Sequence, residues 1–299
     1  MIKRIIDVSE KAYLHIKNKQ LLIDRDGETV GQIPVEDLGV VILQHPAIVI
    51  SQAAIIACQQ QGVVIVFCDA CHIPYSILLP LSDGHTLHTK IMREQIAISQ
   101  PTKKRLWQQI IQQKINQQCY TLKIFNKTST PLDRLVKQVK TGDSGNHEAQ
   151  AAQKYWLLLM GGEFRRDRDA GGINALLNYG YAIVRAMVAR AIVGSGLHPS
   201  IGLHHRNQYN GLCLADDLME PFRPWVDRIV YRIVRQQKTL VINQETKTML
   251  LQLLSQNVHW GDRTMPLMVA SHYLVANLKQ AFSDRKVKLD YPQWIEAGS

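Results

Sequence analysis

The first 43 residues break into short apolar runs at 5–8, 11–17, 20–24, 29–33 and 39–43. Asn18-Lys19 and Asp26-Gly27 separate three of them, the second pair being a strong hairpin signal. Such a run predicts mostly antiparallel sheet. Ser51 is placed to cap a short helix over 52–60, with Ala53, Ile56 and Ala57 on one face. Residues 63–67 are continuously apolar, as a buried strand is. The period then changes. From Met92 onward nearly every stretch repeats at helical spacing, beginning with Leu106, Ile110, Ile111 and Ile115 among glutamines, a pattern that predicts a polar outer face. A segment over 147–160 aligns Glu148, Ala152, Tyr155 and Leu159. A long apolar helix over 173–193 ends at Gly194 and Gly196 and reads as the centre of a helical domain. Pro224 opens the next segment, and 246–254 and 265–282 complete the bundle. The expected fold is α+β: a small, mainly antiparallel β domain over 1–75, a connector over 76–91 and a larger all-helical domain over 92–299.

Charge divides the chain in the same place. The whole carries a formal +10 over 299 residues, but residues 1–75 hold 6 basic and 8 acidic side chains, whereas 76–299 hold 29 and 17. A polyanionic partner therefore belongs on the second part. Residues 101–140 hold nine Lys or Arg and only Asp133 on the acidic side, which is either a solvated helix face or a nucleic-acid surface. Five cysteines and no signal-peptide pattern fit a reducing compartment. Cys68, Cys71 and His72 have the spacing of a redox or zinc half-site, but no second Cys pair matches them, so core or strand-end thiols are the simpler reading. No apolar run approaches the roughly 18 residues of a membrane span, and the most hydrophobic helix carries Arg185 and Arg190. The chain is expected to be soluble, with no membrane partner.

The conspicuous polar chemistry falls in two windows, 145–148 and 202–224. Asp217 and Glu220 lie three apart and share a face if helical. Two carboxylates pointing together need a metal ion, an arginine or a shared proton. With an imidazole from the turn at His204-His205 they suit Mg²⁺ or Mn²⁺, and a divalent cation beside a polyanion surface points to phosphoryl transfer. The plain alternative is a helix surface with Asp217 and Glu220 beside Arg223, a surface Glu148, and histidines that pack or cap.

The strings 174–181, 202–205 and 214–224, together with Glu148 at the start of its helix, resemble the CRISPR adaptation integrase, the CRISPR-associated endonuclease that inserts spacers, in its type II branch. The resemblance covers essentially the whole chain. It implies metal ligation by Glu148, His205 and Glu220, with Asp217 as a supporting acid, His205 being preferred to His204 because it follows Gly202 by three positions. Many relatives carry Asp where this chain has Glu220. It also implies a reaction in which the 3′-hydroxyl of a short DNA fragment attacks a phosphodiester at the repeat boundary, using Mg²⁺ or Mn²⁺. Lys103, Lys104, Arg105, Lys137, Lys140, Arg165, Arg166, Arg168, Arg185, Arg206 and Arg223 are the candidate DNA contacts. Asn174 and Asn178 read as scaffold or DNA-orienting groups. The implied partners are double-stranded DNA (spacer precursor and repeat), a second copy through the β domains, a small ferredoxin-like CRISPR-associated dimer and other type II adaptation proteins, in the cytoplasm. Two competing functions are a noncatalytic DNA-binding assembly protein and a structure-nonspecific metal-dependent nuclease.

Overall fold

The computed structural model describes residues 4–70, 74–79, 87–236, 240–284 and 286–295. Two four-stranded sheets form the N-terminal region. Strands β1 (Arg4–Val8), β2 (Tyr13–Lys17), β3 (Gln20–Arg25), β4 (Glu28–Pro34), β5 (Leu38–Leu43) and β6 (Val49–Ile50) lead into helix α1 (Gln52–Gln60) and strands β7 (Val64–Cys68) and β8 (Pro74–Leu78). One sheet has the order β4-β3-β2-β6 and is antiparallel except for the β2–β6 pair. Its two hairpins turn where the sequence signals them, with Asn18, Lys19, Asp26 and Gly27 all at positive φ, a conformation that asparagine, aspartate and glycine adopt most readily. Ser51 caps α1 by accepting from the Ala54 N–H at 3.2 Å.

The other sheet, β1-β5-β7-β8, is mixed: β1, β5 and β7 run parallel, and only β8 is antiparallel. Its pairing departs from the antiparallel expectation because β5 and β7 are joined by the crossover helix α1, and a crossover returns the chain in the same direction. β5 is buried along its whole length because both of its faces are covered. Val41 and Leu43 point into a small core with Leu14, Leu21, Ala54 and Ile65, whereas Val40 and Ile42 join the large core of the helical region. β8 runs past residue 75, the expected end of the β domain.

The helical region contains α2 (His88–Ile96), α3 (Gln100–Ile124), α4 (Thr130–Gln138), α5 (His147–Met160), α6 (Ile173–Gly194), α7 (Cys213–Met219), α8 (Arg223–Arg235), α9 (Gln244–Ser255) and α10 (Leu267–Ser283). α6 is its centre and packs against α7, α8, α9 and α10. By length and composition this 22-residue helix passes for a membrane span, contrary to the expectation that no run comes near one; 78% of its apolar window is buried inside the protein, and core packing accounts for its composition. Gly180 lets α6 and α8 approach, since a Cβ there would lie 2.4 Å from Val226.

Three expectations change. The C-terminal part is not wholly helical: β9 (Asn257–Trp260), β10 (Arg263–Pro266) and β11 (Gln293–Trp294) form a small antiparallel sheet, and Met265 belongs to β10 because the helix begins only after Pro266. α3 extends the pattern that starts at Leu106 back to Gln100, where the Ser99 hydroxyl accepts from Thr102 N–H and Pro101 sits in the first turn. Its polar positions do not all face water: Lys114, Gln117 and Gln118 are buried. Gln117 Oε1 accepts from Trp225 Nε1 at 2.9 Å and from Arg228 Nη2 at 2.7 Å, so the glutamine serves as a polar core residue.

Candidate metal centre

Three different elements deliver the expected ligands. Glu148 is the second residue of α5, and its position is set by Asp143, whose carboxylate accepts from the His147 N–H at 2.9 Å and the Glu148 N–H at 3.0 Å. A carboxylate at that end also matches the helix dipole. Ala152, one turn on, faces the same cavity as Glu148, while Tyr155 and Leu159 pack into the core. Glu220 opens a short 3₁₀ turn, Glu220–Phe222, between α7 and α8 and is 4% exposed. His205 comes from the loop that precedes α7.

Asp217 organises that loop. It is fully buried, and Oδ2 accepts from the N–H groups of Leu203 at 2.6 Å and His204 at 3.1 Å, while Oδ1 accepts from the His205 N–H at 3.1 Å and faces His205 Nδ1 at 2.7 Å. The imidazole thereby keeps its proton on Nδ1 and leaves Nε2 as the free ring nitrogen. The hydrogen bond to Asp217 raises the His205 pKa above its ordinary value, against the effect of burial. Gly202 permits this wrapping, since a Cβ there would stand 2.4 Å from the His205 carbonyl oxygen and 2.9 Å from Asp217 Oδ2. Asp217 and Glu220 do not present one shared face, because α7 ends at Met219 and Asp217 turns to the loop. The neighbouring His204 is exposed and stacks on Trp107 with ring centroids 4.2 Å apart.

Glu148, His205 and Glu220 line one cavity of about 320 Å³. The ammonium of Lys114 stands between the two glutamates, 2.6 Å from Glu148 Oε1 and 2.5 Å from Glu220 Oε2. Arg223 Nε donates to Glu220 Oε1 at 2.8 Å. Burial acts to raise the Glu220 pKa, but Arg223 and Lys114 outweigh it and hold the carboxyl at about 2. Among the described residues no three His, Cys, Asp or Glu groups stand together as a metal cage, since Lys114 separates the carboxylates. The donor set nonetheless has the right chemistry: two carboxylates and a neutral imidazole nitrogen oriented by a buried acid suit a hard-to-borderline divalent ion. Lys114 was absent from the sequence reading. Its signal was there, for it follows Ile110 by four positions and Ile111 by three and so lies on the apolar stripe of α3.

The basic residues divide into three groups. Arg166, Arg168 and Arg223 line the cavity. Asn174 and Asn178 hold Arg166 there, accepting at 2.9 and 2.6 Å, which makes the scaffold role of the asparagines concrete. Lys104, Lys137, Lys140, Arg165 and Arg206 are exposed, and Lys103 lies close enough to Arg206 for like-charge repulsion to help lower its pKa alongside burial. Arg185 instead makes a bidentate pair with Asp216 at 2.6 and 3.0 Å, and Arg105 donates to the Val287 and Ala281 carbonyls. Those two guanidiniums brace the fold. Of the cysteine motif, Cys71 and His72 lie outside the described residues; burial and Asp7 push the Cys68 thiol up to about 12, the state of an unreactive thiol.

Asp227, also on the cavity wall, was not foreseen. Tyr181 donates to its carboxylate at 2.5 Å, yet burial pushes the acid up to about 7. Between the usual 3.8 and about 7 the unfolded chain releases this proton and the folded protein keeps it, so stability falls as pH rises through that window. Urea melts of the wild type and Asp227→Asn between about pH 4 and pH 8 should show the variant lacking that part of the slope; parallel profiles would refute the assignment.

Comparison with known proteins gives this geometry a context. Residues 6–253 match the model of the family described as CRISPR associated protein Cas1. The chain belongs to the Cas1 family. A CRISPR-associated endonuclease Cas1 of Neisseria meningitidis serogroup C (strain 8013) is 32% identical over 294 residues, covering 96% of this chain and 95% of the relative. A Cas1 of Saccharolobus solfataricus is 29% identical over 234 residues, covering 71% and 65%. In fold, the chain is similar to a Cas1 protein from Thermotoga maritima (TM-score 0.78, 16% identity, 99% and 100% covered) and to a casposase bound to integration product (0.75, 19%, 97% and 93%). It is also similar to part of a chain in a Cas6-RT-Cas1–Cas2 complex (0.75, 18%, 96% and 36%). Membership of the Cas1 family supports a nuclease and integrase role in spacer acquisition.

Proposed function

We propose that this Cas1-family protein is a metal-dependent DNA integrase and endonuclease that joins the 3′-hydroxyl ends of short foreign DNA fragments to a CRISPR repeat array. The observation that carries the reading is the convergence of Glu148, His205 and Glu220 on one cavity walled by Arg166, Arg168 and Arg223. Mg²⁺ or Mn²⁺ held there supplies Lewis acidity to a phosphodiester oxygen and lowers the pKa of the attacking hydroxyl. The chain's own groups do the rest. Glu148, Glu220 and His205 Nε2 are the ligands, Asp217 keeps that nitrogen aimed, and the three arginines receive the phosphate and offset charge as it develops. The fragment's 3′-oxygen bonds to the phosphorus at the 5′ end of the repeat as the bond from that phosphorus to the 3′-oxygen of the flanking nucleotide breaks. The proton lost by the attacking hydroxyl is balanced by one gained on the leaving oxygen. With water as the nucleophile the same exchange is hydrolysis.

Half-buried Lys103 and exposed Lys104, Lys137, Lys140, Arg165 and Arg206 are the proposed phosphate contacts beyond the cavity. The strand-rich unit through β8 serves dimerisation, and the helical region from α2 onward carries catalysis and DNA binding. The Cas2-containing complex among the similar structures favours a Cas2-type partner, and the family resemblance implies that it is a small dimer clamped between two copies of the homodimer. The quoted sequence strings favour the type II branch, with its other adaptation proteins, acting in the cytoplasm and without a membrane. A strand-transfer assay with the partner protein tests the reading: joined product is expected with Mg²⁺ or Mn²⁺ and none with EDTA. Ion-independent function would show a noncatalytic assembly protein, and cleavage without joining would show a nonspecific nuclease.

A further inference from the structure

Lys114 is 8% exposed, and its ammonium is taken out of water only because two carboxylates meet it, Glu148 at 2.6 Å and Glu220 at 2.5 Å. Glu220 gives its other oxygen to Arg223. Two anions and two cations make a closed cluster of zero formal charge. The ammonium fills the space between the glutamates, which is where one ion can touch both. A divalent cation entering with the ammonium still in place would take the cluster from zero to a formal +2 in a poorly hydrated region. The lysine and the ion therefore compete for the same oxygens.

Resting on the metal reading above, we infer that Lys114 is a built-in counter-ion that holds the metal seat while DNA is absent, and that its displacement couples metal loading to the arrival of a phosphodiester. Its four-carbon stem allows the ammonium to swing into the adjoining cavity, which Lys114 itself lines together with Arg166 and Arg168. A DNA phosphate lodged there gives the displaced ammonium a new anionic partner. Without that phosphate the ammonium has only the glutamates, and metal binding is correspondingly weak. The coupling runs both ways: DNA tightens the metal, and the metal tightens DNA by the same factor. This protein free of DNA would thus carry little metal.

Mn²⁺ titration of the full chain, followed by electron paramagnetic resonance with and without a 3′-dideoxy-terminated duplex, reads this without any turnover. Lys114→Met should bind Mn²⁺ about tenfold or more tightly than the wild type in the absence of DNA, because the seat is no longer contested. The duplex should tighten Mn²⁺ binding several-fold more in the wild type than in the variant, where only the phosphate's own attraction for the ion remains. Lys114→Gln, neutral and polar, should behave alike and serves if the methionine variant does not fold. Equal or weaker Mn²⁺ affinity in both neutral variants, or the same effect of the duplex in variant and wild type, overturns the inference. A wild type that binds no Mn²⁺ even with the duplex overturns the metal reading itself.

Discussion

Glu148→Ala should abolish strand transfer, lowering its rate at least about a thousandfold, in a protein that stays folded. The side chain is 29% exposed, and α5 is capped by Asp143 rather than by Glu148. Lys114 keeps Glu220 as a partner in the variant, so the stability lost is within about 2 kcal/mol. Glu220→Ala should be as inactive, but it also strips Lys114 and Arg223 of the carboxylate they share. Lys114 keeps Glu148 there, but the half-buried Arg223 loses its ion-pair partner. The cost therefore exceeds that of Glu148→Ala while staying below the about 3–5 kcal/mol of a fully stripped buried charge, and inactivity there mixes chemistry with destabilisation. Glu148 is the cleaner probe. Strand-transfer rates and thermal melts of both variants, measured side by side, check the distinction. A Glu148→Ala protein that integrates at the wild-type rate would remove this glutamate from the mechanism.

Asp217→Asn should act at one remove and still be severe. The carboxylate accepts from three backbone N–H groups and faces Nδ1 of His205. An amide keeps one acceptor oxygen and turns an NH₂ group toward donors, so at least one buried N–H loses its partner at about 1–3 kcal/mol. The His205 tautomer is then no longer held, and loss of such an orienting partner typically costs about 10–100-fold in metal affinity or activity. Strand-transfer rate and Mn²⁺ affinity should fall together, and ¹⁵N NMR of the ring should show Nδ1 losing its preference for the proton. An unchanged tautomer with reduced activity would mean that Asp217 acts only through the fold.

Much of this was legible residue by residue. The hairpins at Asn18-Lys19 and Asp26-Gly27, the Ser51 cap and the span of α5 are local events, decided by backbone preference and side-chain spacing within a few positions. The direction of β1 against β5 was not legible, because pairing partners far apart in sequence leave no mark in the strand pattern itself. Glutamines on α3 read as solvent-facing until Trp225 and Arg228 arrive to bond Gln117. Asp217 and Glu220 read as a pair on one face until the end of α7 turns them to different partners.

By itself, then, the sequence determined an α+β chain with its charge concentrated on the helical part, and through its family resemblance it pointed to three of the side chains that line the cavity. Tertiary structure alone decided that Asp217 aims His205 from within, that Asp143 fixes the start of α5, and that Lys114 sits between the glutamates. The reason is physical: whether a polar group is buried, and what state it takes there, depends on partners brought from elsewhere. Glu148 lies 34 residues beyond Lys114 in sequence, and only the folded chain sets its carboxylate against that ammonium.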